Sequence, residues 1–181
     1  LQAEPSDGYI RDRNVFAEGI TIEDSMSVLV RYNSGAVLNY SLNTYLPREG
    51  MHVVFNGSRG RLEFHDIHQE HILPGRPKNR ERKEHTWSSG CIVHPMFEKA
   101  YTIDIPKAEG GHFGSDPLLQ RQIFSPSPPE ESFARNAGAE QGIASALIGI
   151  AANHSMKSGQ LVQIRNLCPQ LPKAHRLSDL T

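Results

Sequence analysis

Residues 25–43 carry the hydrophobic pattern that most restricts the fold of this chain. Apolar and polar side chains alternate on both sides of the turn residues Asn33, Ser34 and Gly35. Side chains two positions apart on a strand share one face, so the pattern predicts two half-buried antiparallel strands joined by a hairpin. The apolar members of the two alternations are Met26, Val28, Val30, Tyr32, Ala36, Leu38, Tyr40 and Leu42.

A second hairpin and a further short strand are predicted downstream. Residues 51–56 and 61–66 flank a turn at residues 57–60, and apolar side chains alternate again over residues 101–105. Prolines and glycines interrupt residues 67–99, which predicts irregular strands or a long excursion.

The C-terminal half of the chain is predicted to be helical. One helix begins at Pro117 with Asp116 as its N-cap and ends near Phe124, before a proline-rich stretch. Apolar residues at helical spacing from Ala139 to His154 predict a longer helix, with Gly159 in the C′ position. Residues 161–164 are predicted to be a final strand. Helices and sheet must then bury each other's apolar faces.

Composition limits the class of protein. The 181 residues fit one domain, and a formal net charge of -1 gives no electrostatic reason to expect a nucleic-acid partner. No apolar run is long enough for a membrane span, and the N-terminus has no signal-peptide pattern. The two distant cysteines, Cys91 and Cys168, fit a reducing, cytoplasmic compartment better than a disulfide framework. Because the chain starts at Leu1 without an initiator methionine, we expect a processed product or one end of a longer protein.

The glycine-rich residues 105–119 are the main candidate for a binding site. Gly111 allows the backbone to approach a ligand closely, His112 can donate to or accept from a hydroxyl, and Asp116 can accept from one. The alternative is a tight turn followed by an ordinary helix cap. Arg11, Asp12 and Arg13 are predicted to lie at the edge of a substrate site or at an interdomain contact, with a solvated charged segment as the alternative.

Other kinds of site are not supported by the sequence. No dinucleotide fingerprint or P-loop occurs, so we expect no cofactor to bind this chain alone. No nucleophile with a matching base is evident, and no catalytic residue is assigned. Five residues are of the types that bind zinc. On a strand, however, residues three apart point to opposite faces, and no second closely spaced pair completes a set of four ligands. We therefore expect no metal site. These residues are His65, His68, His71, Cys91 and His94.

Five segments in order resemble the C-terminal domain of the glucose-fructose oxidoreductase, inositol dehydrogenase and MocA (Gfo/Idh/MocA) family. The resemblance covers roughly residues 7 to 165. The segments that carry it are residues 22–28, 32–36, 55–63, 110–117 and 148–155.

The resemblance implies an α+β domain with a large, open, mostly antiparallel sheet and helices packed on one face. Its other sheet face would form a homodimer or homotetramer. The family's activity implies hydride transfer between NAD(P) and a sugar, polyol or related substrate. The N-terminal Rossmann half of such enzymes, with its glycine fingerprint, Glu-Lys-Pro lysine and Asp-x-x-x-His segment, is not found in residues 1–181.

The sequence thus predicts the substrate-binding and oligomerisation half of an oxidoreductase that is not catalytically competent alone. Residues 1–23 are predicted to be an irregular lead-in, residues 24–165 the domain itself, and residues 166–181 a tail. The alternative is a stand-alone, non-enzymatic domain for self-association or partner binding. A zinc-dependent hydrolase built on the histidine-rich segment is the third possibility.

Overall fold

A computed structural model of the chain describes residues 4–10, 13–69, 88–106, 109–130 and 136–170. The chain divides into two compact units, Leu1–Tyr45 and Leu46–Thr181. No helix in the described part of the chain is both long and apolar enough to cross a membrane. The predicted domain bounds, 24–165 with a lead-in and a tail, stay a prediction.

The first unit contains a short helix and the predicted hairpin. Helix α1 spans Glu4–Asp7, and strands β1 (Ser25–Arg31) and β2 (Val37–Asn43) pair antiparallel. Gly35 has a φ of 87°, a conformation that glycine adopts without a steric penalty, and it turns the chain between the strands. Met26 lies opposite Leu42 and Val30 opposite Leu38, so the predicted hairpin is confirmed. Burial alternates along β1 as predicted, whereas in β2 only Leu42 is partly buried, so the prediction of a half-buried second strand is wrong.

Residues before β1 pack against the end of β2 within this unit. The rings of Phe16 and Tyr45 lie 4.9 Å apart, and the Tyr45 hydroxyl donates a 3.2 Å hydrogen bond to the Val15 carbonyl oxygen. Thr44 donates from its backbone N–H, at 2.9 Å, and from its hydroxyl, at 3.0 Å, to the carbonyl of Asp24. Part of the irregular lead-in is therefore held to the hairpin by specific contacts.

The second unit is built on a four-stranded antiparallel sheet in the order β3-β4-β5-β6. Strands β3 (Glu49–Gly57) and β4 (Gly60–Gln69) form the predicted second hairpin, and β6 (Tyr101–Ile103) is the predicted short strand. Strand β5 (Ser88–Pro95) lies inside residues 67–99, where irregular strands were one of two expectations. It pairs along β4 without interruption from Gly60 opposite Pro95 to Ile67 opposite Ser88.

The strand register gives this sheet two chemically different faces. One face is mostly apolar, because residues such as Val53, Phe64 and Val93 lie on it. We call the opposite side the polar face. The polar face carries His52 and Asn56 from β3, Arg61, Glu63 and His65 from β4, and His94 from β5.

Glu63 lies at the centre of the polar face. Arg61 donates from Nε to Glu63 Oε1 at 2.6 Å and from a terminal nitrogen to Asn56 Oδ1 at 2.9 Å. His52 Nε2 lies 3.7 Å from one Glu63 carboxylate oxygen and His94 Nε2 lies 3.9 Å from the other. The hydrogen bond from Arg61 lowers the pKa of Glu63 below its ordinary value, with smaller contributions from the charges of Arg61, His94 and His52.

Replacing Arg61 by glutamine should raise the pKa of Glu63 toward its ordinary value. A lowered pKa in the folded state means that Glu63 stabilises the fold above its unfolded-state pKa, and that this contribution is lost as the pH falls through the folded-state pKa. An NMR titration of the Glu63 side-chain carboxyl carbon measures the shift, with the exposed Glu98 as an internal reference. An unchanged Glu63 midpoint in R61Q would contradict the assignment of Arg61 as the main cause.

In the described part of the chain, three α-helices follow the sheet. Helix α2 spans Ser115–Phe124, and its end at Phe124 agrees with the prediction. Helix α3 spans Ala139–Ser158, buries Leu147 and Ala151, and ends at Gly159 with a φ of 67°, as the C′ assignment predicted. Helix α4 spans Ile164–Leu167 and packs against α3.

The predicted final strand at residues 161–164 is wrong. Residues 161–163 form no strand, and Ile164 begins α4. The Cys168 N–H donates to the Ile164 carbonyl at 3.2 Å, which closes a helical turn. An apolar run this short fits the spacing of a strand as well as that of a helix. The local backbone hydrogen bonds form a helical turn and so decide between the two.

The α+β class with antiparallel strands is confirmed. The six described strands belong to two sheets, of two and four strands. The packing of the helices on one sheet face stays a prediction.

Candidate functional site

The glycine-rich loop after β6 forms a continuous helical entry. Gly111–Gly114 is a 3-10 turn that runs directly into α2, with the left-handed Gly114 (φ 86°) as the N-cap. The prediction that Asp116 caps this helix is therefore wrong, because helical backbone already begins at Ser115. Asp116 and Pro117 occupy the first turn, and the Asp116 carboxylate is left free to bind elsewhere.

His112 and Asp116 form a hydrogen-bonded pair. His112 Nδ1 lies 2.9 Å from each oxygen of the Asp116 carboxylate. An ionised carboxylate only accepts hydrogen bonds, so Nδ1 carries the proton, and in the neutral ring Nε2 keeps its lone pair. The His112 side chain is 84% exposed and that of Asp116 42%. The pair thus presents an oriented imidazole to an incoming ligand.

Glycines next to the pair make this arrangement possible. A Cβ added at Gly111 would overlap the Asp116 carboxylate, and one added at Gly110 would lie 2.8 Å from Pro117 Cγ. His112 itself has a left-handed backbone, with a φ of 48°, and its carbonyl accepts a hydrogen bond from the Ser115 hydroxyl. Any side chain at position 111 would compete for space with the carboxylate that orients His112.

The pair is suited to recognising hydroxyl groups. Nε2 of the neutral imidazole can accept a hydrogen bond from an alcohol, and the same nitrogen donates when the ring is protonated. Asp116 lies in the first turn of α2, where the helix dipole favours a negative charge. In this arrangement Asp116 positions the ring, and the His112 imidazole stays accessible to other hydrogen-bonding groups.

The loop does not fit a nicotinamide dinucleotide. Pyrophosphate sites of that type lie at a helix N-terminus after a strand of a parallel βαβ unit, whereas β6 pairs antiparallel with β5. The Asp116 carboxylate also occupies the first turn of α2, where it would repel a phosphate. The glycine-rich loop therefore does not form a binding site for the pyrophosphate of a nicotinamide dinucleotide.

The other predicted substrate residues are placed differently. Gly111 lies beside the His112–Asp116 pair. Arg13 lies exposed in the unit Leu1–Tyr45. Arg11 and Asp12 are outside the described residues, so their predicted role stays a prediction.

The histidine-rich segment is divided between the two faces of its sheet. His65 and His68 lie on opposite faces of β4, as strand geometry predicted, and His68 Nε2 contacts Asp66 at 2.9 Å. Cys91 lies opposite Phe64. His71 is outside the described residues. Within the described ranges, no group of three or more histidine, cysteine or acidic side chains is arranged to hold a metal ion.

The contact between His112 and Asp116 was not predicted from the sequence, although both residues were. A spacing of four residues brings side chains together on a helix, and that signal was present. It was missed because the helix was expected to begin only at Pro117, which placed His112 in the loop. The 3-10 turn extends the helical path back to residue 111 and supplies the contact.

Comparison with known proteins gives the same assignment as the sequence. A profile of the family described as "Oxidoreductase family, C-terminal alpha/beta domain" (Gfo/Idh/MocA) matches residues 3–164. A Bacillus subtilis (strain 168) protein named "Putative oxidoreductase YteT" is 32% identical over 165 residues, which are 88% of this chain and 36% of that protein. This chain therefore spans little more than a third of that relative. No solved structure shows a significant match. With a profile that matches most of its length, this chain belongs to the Gfo/Idh/MocA oxidoreductase family, of which it represents the C-terminal alpha/beta domain.

Proposed function

We propose that this chain is the substrate-binding half of an NAD(P)-dependent oxidoreductase that acts on a sugar, a polyol or a related compound. The observation that carries the proposal is the His112–Asp116 pair, with Nδ1 within 2.9 Å of both carboxylate oxygens and the imidazole exposed. Family membership supplies the reaction class. A hydroxylated substrate is favoured because the pair orients a nitrogen that can accept from or donate to an alcohol.

Nucleotide binding is assigned to another part of the intact protein. The glycine loop does not fit a dinucleotide, and the relative YteT is far longer than this chain. His112 and Asp116 would therefore form one wall of the substrate pocket, and a nucleotide-binding half would form the other. On this proposal Arg11, Asp12 and Arg13 lie near the edge of that pocket.

The proposal is tested by assaying the intact protein against a panel of sugars and polyols with NAD or NADP. We expect the absorbance of the reduced nicotinamide to appear with at least one hydroxylated substrate. The isolated chain of residues 1–181 is the control, and it should neither turn over the substrate nor bind NADH in a fluorescence titration. Saturable NADH binding by the isolated chain would contradict the assignment of nucleotide binding to another part of the intact protein.

Assembly through an open sheet face is the second part of the proposal. Apolar side chains on the strands are exposed, among them Leu29 at 75% and Phe55 at 64%, and burying such groups would favour association. A homodimer or homotetramer is expected. The same observation favours the alternative function, a stand-alone self-association domain, and the substrate assay above separates the two.

A further inference from the structure

We propose that Phe97 is a docking anchor that inserts into an apolar depression on a second copy of this chain. Phe97 lies in the turn between β5 and β6, and its side chain is 100% exposed. Its backbone is left-handed, with a φ of 67°. The contact goes beyond the proposed function, because it involves neither the His112–Asp116 pair nor a sheet face.

The conformation of Phe97 is unusual for an aromatic residue. A left-handed backbone crowds the Cβ of a bulky side chain, so such positions are usually occupied by glycine or asparagine. Because the phenyl ring is fully exposed, no burial within the chain offsets this strain. Glycine would satisfy a turn that needed only this backbone shape. The aromatic side chain at position 97 therefore indicates a contact with another molecule.

The turn that carries Phe97 is tied to the neighbouring hairpin. The Met96 N–H donates a 2.8 Å hydrogen bond to the carbonyl oxygen of Arg59, which lies in the turn between β3 and β4. Met96 adds apolar surface beside Phe97, since its side chain is 49% exposed. A side chain that is held in position before binding loses less conformational entropy on association than one on a mobile segment.

An apolar depression in the unit Leu1–Tyr45 has room for a phenyl ring. Its volume is about 270 Å³, below the range of about 300–1,000 Å³ that is usual for small-molecule pockets. Its apolar side chains are exposed, among them Phe16 at 75% and Ile22 at 78%, so it suits a protruding side chain of a partner. The lining residues used here are Val15, Phe16, Ile20, Ile22, Asp24 and Tyr45.

Contacts inside the unit fix the walls of this depression. The rings of Phe16 and Tyr45 lie 4.9 Å apart with a tilt of 40°, and the Tyr45 hydroxyl is bound to the Val15 carbonyl. Thr44 holds the Asp24 backbone through two hydrogen bonds. A third aromatic ring beside the Phe16–Tyr45 pair would make the tilted or offset contacts that aromatic side chains favour. The depression is thus formed before a partner binds.

The charges beside the two surfaces are complementary. Lys99 follows Phe97 by two residues, and Asp24 lines the depression. Neither side chain makes a hydrogen bond or an ion pair among the residues that the structure describes. An exposed Lys99–Asp24 pair between copies would orient the anchor more than it would add affinity. Because both complementary surfaces belong to this chain, the partner they fit is a second copy of it.

The contact is tested by NMR on the full chain with labelled tyrosine rings and the change Phe97→Ala. This labelled chain keeps the depression but lacks the anchor, and removal of a fully exposed ring should not disturb the fold. Addition of unlabelled chain with Phe97 intact should shift the Tyr45 resonance saturably. Unlabelled F97A chain should bind at least about tenfold more weakly, because aromatic anchors dominate binding at small interfaces.

Exchange of charges tests the orientation of the anchor. Asp24→Lys in the labelled chain should weaken binding about threefold at low salt, because it places two positive charges together. Lys99→Asp in the unlabelled chain should restore the binding of this D24K chain. The restored affinity would show that the two positions meet in the complex.

Controls separate this contact from other kinds of association. Phe124→Ala removes an exposed ring at the end of α2, and in the unlabelled chain it should leave the titration unchanged. Phe97→Ala should leave the substrate assay of the intact protein unchanged, so this proposal and the proposed function fail separately. A shift of Tyr101 on β6 in place of Tyr45 would mean that Phe97 docks on the sheet. That result, equal binding by F97A chain, or no rescue by the exchanged charges would overturn the proposal.

Discussion

On the proposed function, replacing His112 by alanine should lower kcat/KM of the intact protein for a hydroxylated substrate by about 10- to 100-fold. The change removes the imidazole proposed to contact the substrate, and a hydrogen bond in which one partner is charged contributes about 1.5–3 kcal/mol. Each 1.36 kcal/mol corresponds to a factor of ten in rate. Steady-state kinetics on purified protein measure the effect.

The surrounding residues supply variants that test the same geometry. Asp116→Asn retains the size of the side chain but weakens the contact that orients the ring, so a smaller loss of about tenfold is expected. Gly111→Ala should resemble Asp116→Asn, because the added methyl group displaces the carboxylate.

His154→Ala is the matched control for the loss of a histidine. His154 is an exposed residue of α3. Its replacement should leave kcat/KM unchanged. If His112→Ala also left kcat/KM unchanged, the role assigned to the pair would be wrong.

Replacing Gly60 by alanine should lower the free energy of unfolding by about 2–3 kcal/mol, the range for backbone strain combined with overpacking. Gly60 begins β4 with a φ of 149°. An added Cβ would overlap the His94 carbonyl oxygen and lie 2.9 Å from Pro95 Cα, and these backbone atoms belong to the adjacent strand. The strands β4 and β5 would have to separate at the first pair of their register.

Gly57 in the same hairpin provides the matched control. A Cβ at Gly57 would meet only the Gly60 carbonyl oxygen, at 3.9 Å, which is an ordinary contact. Urea unfolding should therefore show a clear loss of stability for Gly60→Ala and less than about 1 kcal/mol for Gly57→Ala. Equal effects of the two variants would show that general turn flexibility, rather than contact with β5, explains the requirement for glycine.

Local periodicity predicted the elements that have strong internal signals. Alternation over residues 25–43 predicted β1 and β2, and helical spacing with Gly159 predicted α3 and its end. Strand β5 was only one of two expectations, because Gly90 and the nearby breaking residues weaken its pattern. Strand β5 is stabilised by backbone hydrogen bonds to β4, and its amino-acid composition does not predict this pairing.

The sequence by itself determined the family, the α+β class and the residues from which the candidate site is made. These features depend on the order of motifs and on periods within a few residues. Only the tertiary structure decided that Asp116 orients His112 instead of capping a helix, and that His65 lies over Gly90. The first contact depends on where the helical backbone begins, and the second depends on which strands pair. In both cases the geometry of the folded backbone decides which side chain is the partner.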